Sequence, residues 1–221
     1  MIEHHTFKVT RTAHVYTSGN LSSNTKYIWL ACHGYGQLAE KFIYKFEQLD
    51  KKKHFVIAPE GLSKFYWGGV TGNAVASWMT KRHRKNEIED YVNYLHSVFQ
   101  RFRSQASKEI EPIFFGFSQG TATVLRYLLK CQPEFSHIIL WAGAFPKDVD
   151  FLGEAGYLQS GNIHLIYGDE DEYLTPELLE KESDFINHQR LRVYRHIFKG
   201  PHRIDKNVLI QYVDKILQEV E

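Results

Sequence analysis

A stretch near the middle of the chain runs Pro112-Ile113-Phe114-Phe115-Gly116-Phe117-Ser118-Gln119-Gly120. Its first four residues are bulky and apolar, which predicts a buried strand, and residues 121–130 that follow are typical of a helix. A Gly-x-Ser-x-Gly motif in this setting puts the serine on a sharp turn, where side chains at Gly116 and Gly120 would strike neighbouring backbone. The motif alone is weak, but a strand before it and a helix after it favour Ser118 as a nucleophile.

Strands and helices alternate on both sides of this stretch. Apolar runs predict strands at about residues 26–32, 54–58, 112–115, 137–141, 163–167 and 192–198. Helical spacing predicts helices at about residues 39–49, 86–102, 121–130, 175–187 and 204–220. Such alternation favours a three-layer α/β fold, with a mainly parallel central sheet and helices on both faces.

Two segments fit this alternation less well. Residues 6–17 suggest a hairpin at one edge of the sheet, because polar and apolar residues alternate there. Residues 61–86 contain glycines and aromatic residues, and they suggest a long loop over the carboxyl edge on the substrate side.

The composition indicates one globular domain, residues 1–221, of which 43% are apolar and 14% aromatic. The 27 basic and 26 acidic residues nearly balance, which argues against a generic nucleic-acid-binding protein. With 2 cysteines, a disulfide framework is excluded. No signal peptide and no apolar run of about 18 residues is evident, so we expect a cytoplasmic protein without stable membrane insertion. The sequence does not indicate the oligomeric state.

A serine nucleophile needs a histidine base and an acid that orients the histidine. In this class of fold the three follow one another along the chain in the order serine, acid, histidine. Asp169 and Asp171 follow the strand predicted at 163–167, and His202 follows the strand predicted at 192–198. Asp171 is favoured as the acid because it lies far enough past the strand to turn toward the histidine, and Asp169 is the alternative.

Catalysis of acyl transfer also needs backbone donors for the negative charge that develops on the carbonyl oxygen. The N–H of Gln119 directly follows the serine. The second donor predicted is the N–H of Tyr35, in the turn 33–36, where flanking glycines let backbone approach a substrate closely.

Four apolar side chains are candidates for binding the substrate: Trp67, Trp78, Met79 and Phe145. An equally good explanation is that some of them pack the loop onto the body of the protein. The basic run 81–85 could meet an anionic group, although charge runs are more often solvated.

No metal and no cofactor is predicted. His4 and His5 would point to opposite faces of a strand, and neither cysteine lies in Cys-x-x-Cys spacing. No glycine-rich phosphate-binding motif opens a helix.

Taken together, these motifs resemble the α/β-hydrolase superfamily, and within it the carboxylesterase, lysophospholipase and acyl-protein thioesterase family. The resemblance covers roughly residues 25–210. It is carried by five segments, namely Gly-Phe-Ser-Gln-Gly at 116–120, His-Gly-Tyr-Gly at 33–36, Val-Thr-Gly-Asn through Ser-Trp at 70–78, Gly-x-x-Asp at 168–171 and Gly-Pro-His at 200–202. It implies Ser118, Asp171 and His202 as the catalytic triad.

The chain departs from the family pattern at two places near the expected pocket. Gln37 stands where the family usually has aspartate, and Met79-Thr80 stands where it usually has Phe-Asp. These differences concern the substrate rather than the chemistry.

The resulting hypothesis is a serine hydrolase that acts on short- to medium-chain acyl esters, with thioesters and lysophospholipids as further candidates. Its partner is thus a small ester or acylated molecule. The alternative is a catalytically silent protein of the same fold that binds a ligand or partner. The complete set of serine, acid and histidine favours the enzyme, because a binding module does not need all three.

Overall fold

The computed structural model describes residues 1–218 and contains a seven-stranded central sheet. Its strands are β1 (Val15–Ser18), β2 (Tyr27–Cys32), β3 (His54–Pro59), β6 (Glu111–Phe117), β7 (His137–Trp141), β8 (Asn162–Gly168) and β9 (Val193–Phe198). They lie in the order β1-β3-β2-β6-β7-β8-β9. β1 pairs antiparallel with β3, and all other neighbours are parallel. The mainly parallel sheet is therefore confirmed.

Helices cover both faces of this sheet. They are α1 (Ala39–Phe42), which continues as the 3₁₀ turn Ile43–Phe46, α2 (Arg84–Arg103), α3 (Gln119–Cys131), α4 (Ala155–Leu158), α5 (Pro176–His188) and α6 (Lys206–Gln218). One apolar cluster joins α2, α3, α4 and α5 to one face, and a second joins α1 and α6 to the other. The predicted last helix extended to Val220, and residues 219 and 220 lie outside the described part.

Successive side chains of a buried strand point to opposite faces of the sheet, so one strand contributes to both apolar clusters. In β2, Ile28 and Leu30 belong to one apolar cluster, whereas Trp29 and Ala31 belong to the other. A strand that is apolar at every position is buried on both faces, as parallel strands between two layers of helices must be.

The segment 61–86 is more regular than the sequence suggests. It contains the antiparallel hairpin of β4 (Ser63–Trp67) and β5 (Asn73–Ser77). The prediction of a long irregular loop over residues 61–86 was therefore wrong for this part of the segment. Gly68 and Gly69 turn the chain with φ of 80° and 102°, values that other residues rarely adopt. The hairpin expected at residues 6–17 is absent from the described structure, where β1 alone pairs at that edge.

The carboxyl ends of the parallel strands bring the candidate residues to one edge. Ser118 follows β6, Asp171 follows β8, His202 follows β9, and the turn 33–36 follows β2. In open α/β sheets this edge is where ligands bind.

Candidate active site

Ser118 forms the sharp turn between β6 and α3. Its φ is 53°, a left-handed value that few residues other than glycine adopt. The Ser118 N–H donates to the Trp141 carbonyl at 2.9 Å, which ties the turn to the neighbouring strand β7. A strained conformation held by its surroundings in this way is common at functional sites.

The two glycines of the motif allow this turn to pack closely. A Cβ on Gly116 would come within 2.5 Å of the Gly120 carbonyl oxygen. A Cβ on Gly120 would overlap the Cys32 carbonyl and lie 2.8 Å from the His33 carbonyl oxygen. Both clashes are with backbone, as the sequence motif predicts.

His202 lies between Ser118 and Asp171. Its Nε2 is 3.0 Å from Ser118 Oγ, and its Nδ1 is 2.9 Å and 2.8 Å from the two Asp171 carboxylate oxygens. Because a carboxylate can only accept, Nδ1 carries the proton and donates it to Asp171. Nε2 is then free to accept the Ser118 hydroxyl proton, which is the arrangement that activates a serine.

Asp171 is the carboxylate that faces the imidazole, and it is fully shielded from solvent. Its side chain is 0% exposed, and its Oδ1 also accepts the Tyr173 N–H at 2.9 Å. Asp169, the alternative acid, instead accepts the Gly200 N–H at 3.0 Å and so braces the loop that carries His202.

Two aromatic rings fix the orientation of the imidazole. The Tyr173 ring meets the His202 ring edge-on at 4.7 Å between centroids, and the Phe117 ring lies 5.2 Å away. Tyr173 was not among the predicted site residues, although it follows the acid by two positions.

The two predicted backbone donors have no acceptor within residues 1–218. Neither the Tyr35 N–H nor the Gln119 N–H hydrogen-bonds another described residue. Gln119 is the first residue of α3, and N–H groups in the first turn of a helix lack intrahelical partners. Both groups are thus available to an external acceptor such as a carbonyl oxygen.

The turn that carries Tyr35 is braced on each side. The Gly34 N–H donates to the side-chain oxygen of Gln37 at 2.9 Å. The Gly36 N–H donates to the Ala76 carbonyl at 2.9 Å, on strand β5. Gln37, which departs from the family pattern, therefore holds the same turn.

The His33 side chain holds this turn in place through two hydrogen bonds. It is buried, its Nδ1 donates to the Gly34 carbonyl at 2.7 Å, and its Nε2 accepts the Gly61 N–H at 3.0 Å. Burial lowers the pKa of His33 to about 4, so the ring is neutral near pH 7 and can make both bonds. Sequence reasoning treated His33 only as part of a turn motif.

The side chain of Gln119 clamps the hairpin to the start of α3. Its oxygen accepts from Ser77 Oγ at 3.2 Å and from the Trp78 N–H at 3.1 Å, and its nitrogen donates to the Met79 carbonyl at 2.9 Å. The sequence predicted a role only for the backbone N–H of Gln119, not for this side chain.

The four predicted substrate-binding residues separate into different environments. Trp67 lines the cleft beside Ser118 and is 56% exposed. Trp78 and Phe145, expected to line it, lie instead in the core with 1% and 2% of their surface exposed. Met79 is half-buried, and its sulfur lies 3.9 Å from an Arg126 guanidinium nitrogen. The explanation for Trp78 and Phe145 is packing, because large aromatic side chains contribute most when fully buried.

The cleft at Ser118 has a volume of about 330 Å³. It is lined by Gly34, Tyr35, Gln37, Lys45, Trp67, Phe117, Ser118, Tyr173, His202, Arg203 and Ile204. The basic run 81–85 does not line this cleft. One of its residues, Arg84, pairs instead with Asp148 at 2.9 Å. Across residues 1–218, no helix is long and apolar enough to span a membrane.

Solved structures with the same fold include several hydrolases. Zea mays acyl-protein thioesterase 2 superposes with a TM-score of 0.71 at 14% identity, covering 93% of this chain and 100% of the other. A phospholipase/carboxylesterase from Dyadobacter fermentans gives a TM-score of 0.66 at 19% identity, covering 95% and 99%. A carboxylesterase from Mesorhizobium loti gives a TM-score of 0.63 at 14% identity, covering 86% and 89%.

Comparison at the sequence level gave two results. A search of curated protein sequences found no significant match. The sequence profile of the phospholipase/carboxylesterase family matches residues 20–220, nearly the whole chain. The chain therefore belongs to the phospholipase/carboxylesterase family and has the α/β-hydrolase fold.

Proposed function

We propose that the protein hydrolyses carboxylic esters through an acyl-enzyme intermediate on Ser118. The observation that carries this proposal is the continuous set of hydrogen bonds from Asp171 through His202 to Ser118, with distances between 2.8 and 3.0 Å. Family membership supports the same class of reaction.

In the first half of the reaction, Ser118 Oγ attacks the substrate carbonyl carbon while His202 Nε2 takes the hydroxyl proton. The imidazolium that forms is stabilised by the buried Asp171 carboxylate. When the tetrahedral intermediate collapses, the bond to the leaving group breaks and His202 gives its proton to the departing oxygen or sulfur. The acyl group remains on Ser118.

In the second half, a water molecule takes the place of the leaving group. His202 Nε2 removes one proton from the water as its oxygen attacks the acyl carbon. Collapse of this second intermediate returns the proton to Ser118 Oγ and releases the carboxylic acid. The enzyme is then unchanged, with Nδ1 of His202 still donating to Asp171.

The N–H groups of Tyr35 and Gln119 are assigned to the negatively charged oxygen of both intermediates. The lack of an acceptor for either group within residues 1–218 supports this role, as do the hydrogen bonds that His33 and Gln37 make to the turn. Donors fixed in advance stabilise developing charge without reorganising, and losing one commonly costs about a hundred- to a thousandfold in rate.

The cleft volume of about 330 Å³ supports compact substrates, with Trp67 and Phe117 as apolar walls for a short to medium acyl chain. Thioesters are further candidate substrates, since the structural neighbour from maize is named an acyl-protein thioesterase. Lysophospholipids are a further candidate, from the description of the family.

Labelling with a fluorophosphonate tests the activated nucleophile directly. The purified protein would be treated with the probe, digested, and analysed by mass spectrometry beside Ser118→Ala and a matched control, Ser183→Ala. Ser183 is a serine of α5 that does not line the cleft. Modification at Ser118 in wild type and in Ser183→Ala, but none in Ser118→Ala, is the expected result. A folded wild-type protein that stays unlabelled would contradict the proposal and favour the silent binding protein.

A further inference from the structure

The cleft beside Ser118 is lined by positively charged side chains. Two of its lining side chains, Lys45 and Arg203, are cations. Among the residues that the structure describes, no aspartate or glutamate lines the cleft, and the nearby Asp171 is shielded behind His202. The chain as a whole has a net charge of +1, so this positive character is local.

A second hollow, of about 310 Å³, adjoins this cleft and extends the same pattern. The two share Gln37 and Lys45 as lining residues, and the second adds Lys41. Within the described part of the chain, its lining also contains no carboxylate. Lys41, Lys45 and Arg203 are thus the cations that line these two hollows within residues 1–218.

Lys45 differs from lysines that pair with carboxylates elsewhere in the protein. Lys64 pairs with Glu60, Lys147 with Glu182 and Lys206 with Glu47. Lys45 Nζ donates to the Ile204 carbonyl at 3.4 Å, and no carboxylate among residues 1–218 lies within 4.0 Å of it.

Arg203 is only loosely neutralised. Its guanidinium lies 3.4 Å from Asp205 Oδ2, at an exposed position where such pairs contribute little. The other oxygen of Asp205 accepts the Asn207 and Val208 N–H groups at the start of α6. The negative charge of Asp205 is therefore shared with the N-terminus of that helix.

We propose that the natural substrate is a compact ester or thioester carrying an anionic group, a carboxylate, phosphate or sulfate, that contacts Lys45 and Arg203. This inference rests on the proposed function and deepens it. A cation that is half-buried at a cleft is less screened than one in bulk water, so an anionic group placed there gains affinity over a neutral one. Aromatic walls close to Ser118 accommodate the apolar part of the same molecule.

Two pairs of esters of similar size test the substrate charge. Each enzymatic rate is divided by the rate of the same ester with hydroxide alone, so that differences in leaving-group reactivity cancel. The first pair is 4-(butanoyloxy)benzenesulfonate and the neutral 4-(methylsulfonyl)phenyl butanoate, which place the charge on the leaving group. The second pair is the 4-nitrophenyl monoester of adipic acid and its methyl ester, which place the charge on the acyl group. We expect wild-type protein to prefer the anionic member of at least one pair by about fivefold to tenfold in kcat/KM.

Variants assign this preference to the two cations. In the double variant Lys45→Gln, Arg203→Gln, the ratio of kcat/KM for the anionic and neutral esters should fall to about one. Lys45→Arg keeps the charge and should keep most of the ratio, which separates charge from a folding defect. Lys206→Gln removes a lysine that is paired with Glu47 and does not line the cleft, and it should leave the wild-type ratio in place.

A further pair separates a compact substrate from a lipid that carries the same charge. Butanoyl-glycerol 3-phosphate should be cleaved faster than the palmitoyl compound, and the reverse order would overturn the compact substrate. Equal rates within both ester pairs, or a preference that survives in the double variant, would overturn the inference while the proposed function stands. If wild type cleaved none of these esters, the proposed function and this inference would fall together.

Discussion

The side-chain oxygen of Gln119 accepts a hydrogen bond from the Trp78 N–H at 3.1 Å, across 41 residues of sequence. This bond joins the residue after the nucleophile to the end of the hairpin 63–77. The hairpin in turn supplies the Ala76 carbonyl that holds the Gly36 N–H, so it positions the turn that carries Tyr35. The two proposed oxyanion donors are therefore mechanically connected.

Replacing Gln119 by alanine should weaken both folding and catalysis. The change removes three side-chain hydrogen bonds and leaves the Trp78 N–H without its partner, which is expected to lower the free energy of unfolding by about 1–3 kcal/mol. Misplacing the oxyanion donors should lower kcat/KM by about tenfold or more, although the backbone N–H of residue 119 remains. Urea unfolding and ester hydrolysis would measure the two effects.

Gln105→Ala is the matched control for that change. The Gln105 amide donates to the Arg101 carbonyl within the same exposed segment, so its loss should alter stability by less than about 0.5 kcal/mol. Equal behaviour of the two variants would contradict the role given to the Gln119 side chain.

Exchanging single carboxylates for amides should separate the two candidate acids. Asp171→Asn loses the charge that stabilises the His202 imidazolium and disturbs the tautomer, so kcat should fall by about a thousandfold or more. Asp169→Asn retains an oxygen that can accept the Gly200 N–H, and kcat should stay within about threefold of wild type. Steady-state kinetics of both variants would show which carboxylate orients His202, and thermal unfolding would check that both variants are folded. A larger loss in Asp169→Asn would make Asp169 the orienting acid.

A methyl group at the nucleophile turn should be poorly tolerated. In Gly116→Ala the new Cβ lies 2.5 Å from the Gly120 carbonyl oxygen, and because this neighbour is backbone, relief requires moving the turn itself. We expect a loss of at least about 3 kcal/mol in the free energy of unfolding, or failure to fold.

Gly156→Ala provides the comparison for that glycine. A Cβ at Gly156, in α4, meets nothing within 4 Å, and alanine there should be neutral or stabilise by up to about 1 kcal/mol. If both substitutions cost the same free energy in urea unfolding, close packing at the turn would not be what requires Gly116.

Stability should decrease in mild acid because several buried histidines resist protonation. His137 Nδ1 lies 3.1 Å from His164 Nε2, and His164 Nδ1 lies 3.3 Å from His196 Nε2, in a row across three strands. Burial lowers the pKa of His137 to about 4, and burial together with the neighbouring imidazoles lowers that of His164 to about 3. Burial also lowers the pKa of His54 to about 4, where its Nδ1 accepts from the Trp29 indole at 3.1 Å.

The sign follows from comparing the folded and unfolded states. An unfolded histidine takes up a proton near pH 6.5, whereas these folded ones stay neutral until about pH 4, so the unfolded state binds more protons between those values. Each histidine should therefore remove up to about 1.4 kcal/mol of stability for every pH unit below about 6.5.

Urea unfolding between about pH 7 and pH 5 would measure this slope. His164→Gln should make the pH dependence shallower, because one of the groups that titrates differently in the two states is gone. His188→Gln, at an exposed position at the end of α5, is the control and should keep the wild-type slope. A wild-type stability that does not change over this range would contradict the buried, neutral state of these rings.

The sheet and the edge that carries the site were predictable because they depend on local patterns. Apolar runs mark strands such as β7, whose predicted bounds match the observed His137–Trp141. Once strands alternate with helices, the carboxyl-edge rule brings the residues after β6, β8 and β9 together without further information. That rule places Ser118, Asp171 and His202 at the same edge of the sheet.

Features that depend on contacts between distant segments could not be predicted in this way. Nothing local distinguishes Trp67, which faces the cleft, from Trp78, which is buried in the core. The sequence of the hairpin 63–77 did not predict two strands, because it contains exposed aromatic residues and glycines at 68, 69 and 72. Lys45 meets the Ile204 carbonyl across 159 residues, so its position in the cleft depends on how the 3₁₀ turn after α1 packs beside the histidine loop.

The central claim is that Ser118 becomes acylated during turnover, and trapping that intermediate tests it most directly. Wild-type protein would be mixed with 4-nitrophenyl butanoate, quenched in acid within the first turnovers, digested, and analysed by mass spectrometry, with His202→Ala beside it. The account predicts a butanoyl group on the peptide that contains Ser118, in amounts that match an initial burst of nitrophenol, and neither signal in His202→Ala. Steady ester hydrolysis by wild type with Ser118 unmodified at every quench time, or acyl transfer to a different residue, would contradict it.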